Sequence, residues 1–146
     1  MKAFLDTSVL IATFYGDHVH HAASLDLLLR YGRRNTCCSA DSLAEVYAVL
    51  TAMPGRRRVG GDAALLFLSD IRRKLSLVWL DEESYFRAFE EAAERKLDGR
   101  AIHDALLVRC ARKADAETLY TWNTKDFLRL PSATADLVKQ PDQLAT

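Results

Sequence analysis

The sequence contains little of the chemistry on which many small proteins depend. It has only three cysteines among 146 residues, and two of them, Cys37 and Cys38, are adjacent. This number and spacing do not make a disulfide framework, and they favour an intracellular, reducing compartment. No apolar run approaches the roughly 18 residues of a membrane-spanning helix, and the opening residues MKAFLD show no signal-peptide pattern. We therefore expect a cytoplasmic protein with no membrane contact.

Net charge is also absent, because 20 basic and 20 acidic residues balance each other. The balance conceals a separation along the chain. From Arg30 to Lys74, nine basic residues stand against four acidic ones, a local charge of +5, whereas six acids face one arginine from Asp81 to Glu94. The basic segment could bind a polyanion, but solvated helix faces explain each cluster equally well.

Internal repeats and low-complexity segments are missing, and 146 residues suffice for one domain with a real core but not for two. Instead, strand-like and helix-like segments alternate. Strands are predicted at Ala3–Leu5, Thr36–Ser39, Leu75–Leu80, Thr118–Thr121 and Ala135–Val138, and helices at His20–Tyr31, Ser42–Met53, Gly61–Lys74, Glu83–Leu97 and His103–Ala114. The alternation predicts an α/β fold, with a mainly parallel sheet of four or five strands covered by helices on both faces.

Four acidic residues lie in apolar or turn-like surroundings where a charge is unexpected. Asp6 is the only charge in AFLDTSVLIATFYG, and Glu45 is the only charge in SLAEVYAVLTAMPG. Asp104 opens the apolar run ALLV, and Asp126 lies in the turn-like NTKDF. Burying a carboxylate costs several kcal/mol unless it is paired or bound to a cation. If the fold brings the four together, a divalent cation would relieve their repulsion.

Each acid also has an ordinary structural explanation. Asp6 could cap the helix that follows it, and Asp104 would be favoured in the first turn of its helix. Asp126 could cap a short helix that ends at Leu128. Glu45 is different, because capping cannot place a lone charge inside an otherwise uncharged helix. A solvated surface glutamate remains open for this position.

These residues lie in segments that resemble PIN-domain ribonucleases. The segments are LDTSVLI, the glutamate-containing SLAEVYAVLT, and IHDALLVRCARKADAETLYTWNTKDFLRLP. The resemblance is closest to VapC-type toxins of prokaryotic toxin–antitoxin pairs, and it covers essentially the whole chain. It implies a three-layer α/β/α PIN-like domain over residues 1–146. At matching positions it implies Asp6, Glu45, Asp104 and Asp126 as catalytic, metal-binding acids, with Ser8, Thr121 and Asn123 as supporting residues.

Carboxylate-rich sites without histidine or cysteine ligands favour hard cations, so Mg²⁺ is the first choice and Mn²⁺ the second. The resemblance implies endonucleolytic cleavage of RNA that leaves a 5′-phosphate and a 3′-hydroxyl. We expect Asp6, Glu45 and Asp104 to hold the main ion directly, with Asp126 and Asn123 acting from the rim or through water. Asn123 stands where a number of relatives carry another aspartate, which leaves open whether one or two ions bind.

The resemblance also implies partners. These are an RNA substrate, a cognate VapB-like antitoxin whose C-terminal segment blocks the acidic groove, and a second copy of the chain in a homodimer, with room for a higher-order complex. Arg56, Arg57 and Arg58 lie in a connection between Pro54-Gly55 and Gly60-Gly61, and could bind RNA phosphates. Trp122 could stack on an RNA base or cover a dimer interface.

Other residues invite weaker interpretations. His18, His20 and His21 suggest a zinc site, but polar residues at a helix start are commoner and no cysteine lies at finger-like spacing. His103 could touch substrate or have no chemical role. Two alternative functions remain open. One is a PIN-like domain that binds RNA or protein without cutting, and the other is a phosphohydrolase that uses Asp6 as its nucleophile.

Overall fold

A parallel sheet of five strands forms the centre of the part of the chain that the structure describes, residues 1–130 and 136–143 of a computed structural model. The strands are β1 (Ala3–Leu5), β2 (Thr36–Ser39), β3 (Ser76–Val78), β4 (Thr118–Tyr120) and β5 (Val138–Lys139). Their spatial order is β3-β2-β1-β4-β5, and every neighbouring pair is parallel. β1 is the middle strand. It pairs with β2 on one side and, on the other, with β4, which lies more than 100 residues later in the sequence.

Seven α-helices cover the sheet within the described residues. They are α1 (Thr7–Phe14), α2 (His21–Arg30), α3 (Ala40–Ala52), α4 (Gly61–Lys74), α5 (Glu82–Glu94), α6 (Ala101–Lys113) and α7 (Thr124–Leu128). A short 3₁₀ turn over Gly55–Arg57 joins α3 to α4. The helices α1 and α3 follow their strands almost without a loop, and a polar side chain begins each of them. Asp6 accepts the Thr7 N–H, and Ser39 accepts the Asp41 N–H.

Two hydrophobic cores lie on opposite faces of the sheet, because successive strand residues point to opposite faces. In β1, Leu5 packs with residues of α1 to α4, whereas its neighbour Phe4 packs with residues of α6 and α7. In β4, Tyr120 and Leu119 divide between the cores in the same way. This arrangement confirms the expected helix–sheet–helix layers, with a sheet of five strands that are all parallel.

The order of the strands creates a switch point between β1 and β4. The chain moves from β1 outward through β2 to β3, and then returns across the sheet to β4 on the other side of β1. Ligands of open α/β sheets bind at such points, beyond the carboxyl ends of the strands. Asp6 directly follows β1, and Thr121 directly follows β4. Because crossover helices run antiparallel to the strands, the first turn of α6 also reaches this edge.

Several boundaries differ from the sequence-based prediction. The strand predicted over Leu75–Leu80 is reduced to β3, because Leu75 is the buried C-cap of α4 and Trp79 is 66% exposed. The last strand is β5 rather than Ala135–Val138, and Ala135 lies outside the described residues. The alternative explanation of Asp126 as a helix cap does not apply, since Asp126 lies inside the first turn of α7 and Asn123 holds the cap position.

The three cysteines are buried free thiols. Burial raises the pKa of Cys37 to about 12, so this thiol stays protonated and packs as a small apolar side chain. In the part of the chain that the structure describes, no helix combines the length and apolarity that crossing a membrane requires.

Truncating Leu50 should destabilise the protein far more than truncating Leu66, although both are helical leucines. Leu50 is completely buried in the core between α3 and the sheet, whereas Leu66 on α4 is 69% exposed. Leu50→Ala leaves a cavity and should lower the free energy of unfolding by about 2–5 kcal/mol. Leu66→Ala should change it by less than about 0.5 kcal/mol. Urea denaturation measures both, and equal losses would contradict the assigned core.

Candidate active site

Asp6 is a buried carboxylate held by three hydrogen bonds. Its side chain is at the carboxyl end of β1 and the residue is only 5% exposed. Oδ1 accepts the Thr7 N–H at 2.7 Å, and Oδ2 accepts the hydroxyls of Ser8 at 2.9 Å and Thr121 at 2.8 Å. Burial raises the pKa of Asp6, although these hydrogen bonds act in the opposite direction. The three donors fix the orientation of the carboxylate.

Two hydroxyls connect Asp6 to the loop between β4 and α7. Ser8 Oγ accepts the Trp122 N–H at 3.1 Å, and Thr121 Oγ1 accepts the Asn123 N–H at 2.9 Å. Each hydroxyl therefore receives one backbone hydrogen and donates its own to Asp6. The chain segments that follow β1 and β4 are held in one arrangement by this network, which includes all three residues predicted to support the acids.

Asp104, in the first turn of α6, experiences the charges of the other three acids. Its pKa is raised from 3.8 to about 6, chiefly by burial and then by the negative charges of Asp6, Asp126 and Glu45. Arg100 acts in the opposite direction. Because charges are strongly screened beyond about 10 Å, this coupling indicates that the structure brings all four predicted acids into one neighbourhood.

The four acids line a single open cleft of about 610 Å³. Glu45 projects from α3 and is half-buried, whereas the Asp126 side chain on α7 is 56% exposed and lies 3.9 Å from Arg129. Ser8 and Asn123 also line the cleft, as do Ile11, Val49 and His103. Four separate elements of the fold thus contribute carboxylates to one surface.

The donor set of this cleft fits a hard divalent cation. Its candidate ligands are the carboxylate oxygens of the four acids and the amide oxygen of Asn123. No cysteine is among the described lining residues, and His103 is the one histidine among them. A bound cation would relieve the repulsion that raises the Asp104 pKa. Over residues 1–130 and 136–143, no group of three or more acid, histidine or cysteine side chains is arranged so that it could hold a metal ion as the side chains stand. The four acids line the walls of the cleft, so a bound cation would require their side chains to move closer, and water and substrate oxygens would complete its coordination shell.

The three arginines that the sequence predicts to bind RNA, Arg56, Arg57 and Arg58, do not line the cleft. Arg57 pairs with Asp17 at 2.7 Å and lies over the Tyr15 ring. The Nε–H of Arg58 donates to the Met53 carbonyl at 3.2 Å. Arg56 is exposed and, like the other two, is not among the residues that line the cleft. Their part in RNA binding stays a prediction.

Trp122 packs against α2 behind the acidic cleft. Its indole stacks on the His20 ring with centroids 3.6 Å apart, and its Nε1–H donates to the buried hydroxyl of Ser24 at 2.8 Å. One face of the indole ring and its N–H group are therefore already in contact with α2 and its cap. His18 and His21 make local bonds, to the His20 backbone N–H and the Ala12 carbonyl oxygen respectively. Of the three histidines, His20 thus packs at the contact between α2 and the β4–α7 loop.

Sequence reasoning missed the cations of the cleft, which are Lys96, Arg100 and Arg129. For two of them, the sequence spacing to a predicted acid could have indicated the site. Arg100 precedes Asp104 by four residues, and Arg129 follows Asp126 by three, so each pair meets on one face of a helical turn. Lys96 carries no such signal, because it reaches the cleft from the loop after α5.

Comparison with known proteins agrees with this geometry. Residues 3–132 match the PIN domain. The chain belongs to the PIN-domain family. This PIN domain is 35% identical to ribonuclease VapC40 of Mycobacterium tuberculosis over 114 residues, which are 78% of this chain and 81% of that protein.

Solved structures share the fold of this PIN domain at lower identity. The structure of VapC20 from Mycobacterium tuberculosis, a toxin that cleaves the sarcin–ricin loop, matches with a TM-score of 0.68 at 19% identity and covers 88% of this chain and 95% of that one. VapBC2 from Rickettsia felis, bound to a DNA fragment from their promoter, matches with a TM-score of 0.67 at 19% identity, covering 96% and 98%. The three-layer fold is therefore that of VapC proteins.

Asp104→Asn should stabilise the cation-free protein at neutral pH. The pKa of Asp104 is raised in the folded state, so the fold favours the protonated form and loses stability as pH rises from about 4 through about 6. The variant avoids this loss, and should be more stable at pH 8 by on the order of 1–2 kcal/mol, after allowance for solvent screening. Urea denaturation in EDTA measures the difference.

The same comparison at pH 4 should show almost no difference, because Asp104 is then protonated in the folded protein. Asp26→Asn provides the matched control, since the Asp26 side chain on α2 is 70% exposed. It should leave the pH profile of stability unchanged. A destabilised Asp104→Asn protein at pH 8 would contradict the electrostatic account.

The bond between Trp122 and Ser24 should give a measurable coupling energy. Trp122→Phe leaves the Ser24 hydroxyl buried without its partner and should cost about 1–3 kcal/mol of stability. Adding Ser24→Ala to Trp122→Phe should recover part of that loss, because neither polar group then remains. Denaturation of the wild type, the two single variants and the double variant completes the cycle, and strict additivity would show that the bond contributes nothing.

Proposed function

We propose that this PIN domain is a metal-dependent endoribonuclease of the VapC toxin type. The single observation that carries the proposal is that four carboxylates from four elements line one cleft at the switch point of the sheet. The identity to ribonuclease VapC40 supports the same reaction. The substrate would be RNA, and the bond cut would be a phosphodiester.

Asp6, Glu45 and Asp104 would hold Mg²⁺, or Mn²⁺ in its place, with Asp126 and Asn123 contributing from the rim. When bound, the ion would acidify a water and offset the negative charge that develops on the phosphodiester. Asn123 supplies one negative charge less than an aspartate, so the number of ions remains to be measured. The described oxygen donors suit either cation.

The chain's own residues would prepare the site before substrate arrives. Ser8 and Thr121 hold Asp6 in one orientation through their hydroxyls, so the carboxylate does not have to reorganise when a ligand binds. Asp104 binds a proton near pH 6 in the absence of a cation and must release it to act as a ligand. Cation affinity should therefore fall as pH drops below about 6.

A cognate VapB-like antitoxin would inhibit the enzyme by placing its C-terminal segment, with a basic side chain, in the acidic cleft. The resemblance of the fold to VapBC2 supports an antitoxin partner of this kind. The enzyme would act in the cytoplasm as a homodimer, alone or within a larger toxin–antitoxin complex. The RNA target depends on loop shape and on the side chains around the cleft.

Asp6→Asn and Asp104→Asn should each abolish metal-dependent RNA cleavage while the protein remains folded. Each substitution removes one negative oxygen ligand and should reduce the rate by at least about 100-fold. Gel analysis of a structured RNA, incubated with Mg²⁺ or with EDTA, measures the loss, and circular dichroism verifies folding. The exposed control Asp26→Asn should cleave like the wild type.

The wild-type assay also separates the alternatives. RNA binding without cleavage in Mg²⁺ or Mn²⁺ would favour a non-catalytic PIN domain, and hydrolysis of simple phosphate esters without RNA cleavage would favour a phosphohydrolase. Retained activity in either aspartate variant would remove that residue from the proposed metal site. Activity that persists in EDTA would overturn the metal requirement.

A further inference from the structure

We propose that Lys96, Arg100 and Arg129 form a phosphate-binding wall on one side of the cleft, which holds the RNA backbone next to the acids. This inference rests on the proposed ribonuclease function. All three side chains line the cleft and belong to exposed residues. They come from the loop between α5 and α6 and from the end of α7, the same side of the cleft as Asp104 and Asp126.

The charge of the cleft explains why such a wall is needed. Among its described lining residues, five carboxylates, including Asp98, stand against three permanent cations. A polyanion would be repelled from this surface unless cations lay along its path. The opposite side, formed by α1 and α3, contributes Ile11 and Val49 together with Glu45, and it contributes no lysine or arginine to the described lining. One side of the cleft thus carries all three of its described lysine and arginine side chains, among Asp98, Asp104 and Asp126, whereas the other side offers Ile11 and Val49, which an unstacked base could contact.

The backbone at Lys96 gives an independent indication. Lys96 has φ of 56° and ends α5 in a Schellman motif, with its N–H bonded to the Ala93 carbonyl and the Leu97 N–H bonded to the Ala92 carbonyl. Glycine is the usual residue at this left-handed position, because a side chain there is strained. A lysine at a strained position beside a cleft is consistent with a functional requirement for its charge.

Asp115 provides a natural comparison. It has φ of 54° and ends α6 in the same motif, with bonds from Asp115 N–H to Arg112 and from Ala116 N–H to Ala111. It does not line the cleft. Replacing either residue by glycine relieves the same backbone strain, but only Lys96→Gly removes a charge from the proposed wall.

The test measures binding of a fluorescein-labelled single-stranded RNA by anisotropy, in EDTA so that the proposed cleavage cannot proceed. The proteins are the wild type, Lys96→Gln, Arg100→Gln, Arg129→Gln and the triple variant. Each lost phosphate contact lowers the salt slope by about 0.7. The ratio of affinities at about 50 and about 200 mM salt should therefore fall by about 2.6-fold for each single variant and about 18-fold for the triple variant.

Arg100→Lys should retain the wild-type salt slope, because it keeps the charge. Lys2→Gln should also retain it, because Lys2 is exposed but precedes β1, at the edge of the sheet opposite the cleft. Lys96→Gly should raise the Tm and weaken RNA binding, whereas Asp115→Gly should raise the Tm with no loss of binding. In Mg²⁺, Lys96→Gln should raise KM and leave kcat within about twofold.

A triple variant with the wild-type salt slope, or a Lys2→Gln protein that loses as much affinity as Arg100→Gln, would overturn the proposed wall. Failure of the proposed function looks different. In that case the wild-type protein leaves RNA intact in Mg²⁺ and Mn²⁺. If the wild type cleaves RNA and the triple variant binds normally, only the wall is wrong.

Discussion

The placement of one buried carboxylate, Asp6, determines how the rest of the site is organised. At the carboxyl end of β1 it accepts hydrogen bonds from Thr7, Ser8 and Thr121, which come from both sides of the β1–β4 switch point. Burial raises the pKa of Asp6, and these hydrogen bonds lower it. The segments that follow β1 and β4 therefore meet at one carboxylate, to which both supply donors.

Stability and proposed function conflict at two places in the cleft. Asp104 is pushed towards its protonated form by burial and by neighbouring acids, and Lys96 occupies a backbone conformation that suits glycine. Both features lower the stability of the isolated protein, and both are suited to ligands, a cation in the first case and phosphate in the second. Such conflicts between local stability and ligand binding are expected at functional sites, where the rest of the fold supplies the stability that the site lacks.

Much of this arrangement could be predicted from the sequence, because its signals are local. Gly32, Gly60 and Gly61 mark helix boundaries, and α4 begins and ends at the predicted residues, Gly61 and Lys74. Glu45, the only charge between Asp41 and Arg56 in the sequence, lines the cleft, and its part in metal binding stays a prediction. The strand limits were harder, since the apolar run from Leu75 includes the end of α4. The cleft cations could not be separated from Arg56–Arg58, because sequence clustering does not reveal which loops share a side of the sheet.

The position of β4 in the chain has a consequence for protein synthesis. β4 is a central strand of the sheet, yet it is made after β1, β2 and β3, and both Thr121 and Asp126 follow it. A chain of the first hundred residues lacks the Thr121 hydroxyl that donates to Asp6 and two of the four acids, Asp104 and Asp126. Under the proposed activity, the nascent chain therefore has no complete acidic site until synthesis has passed Asp126.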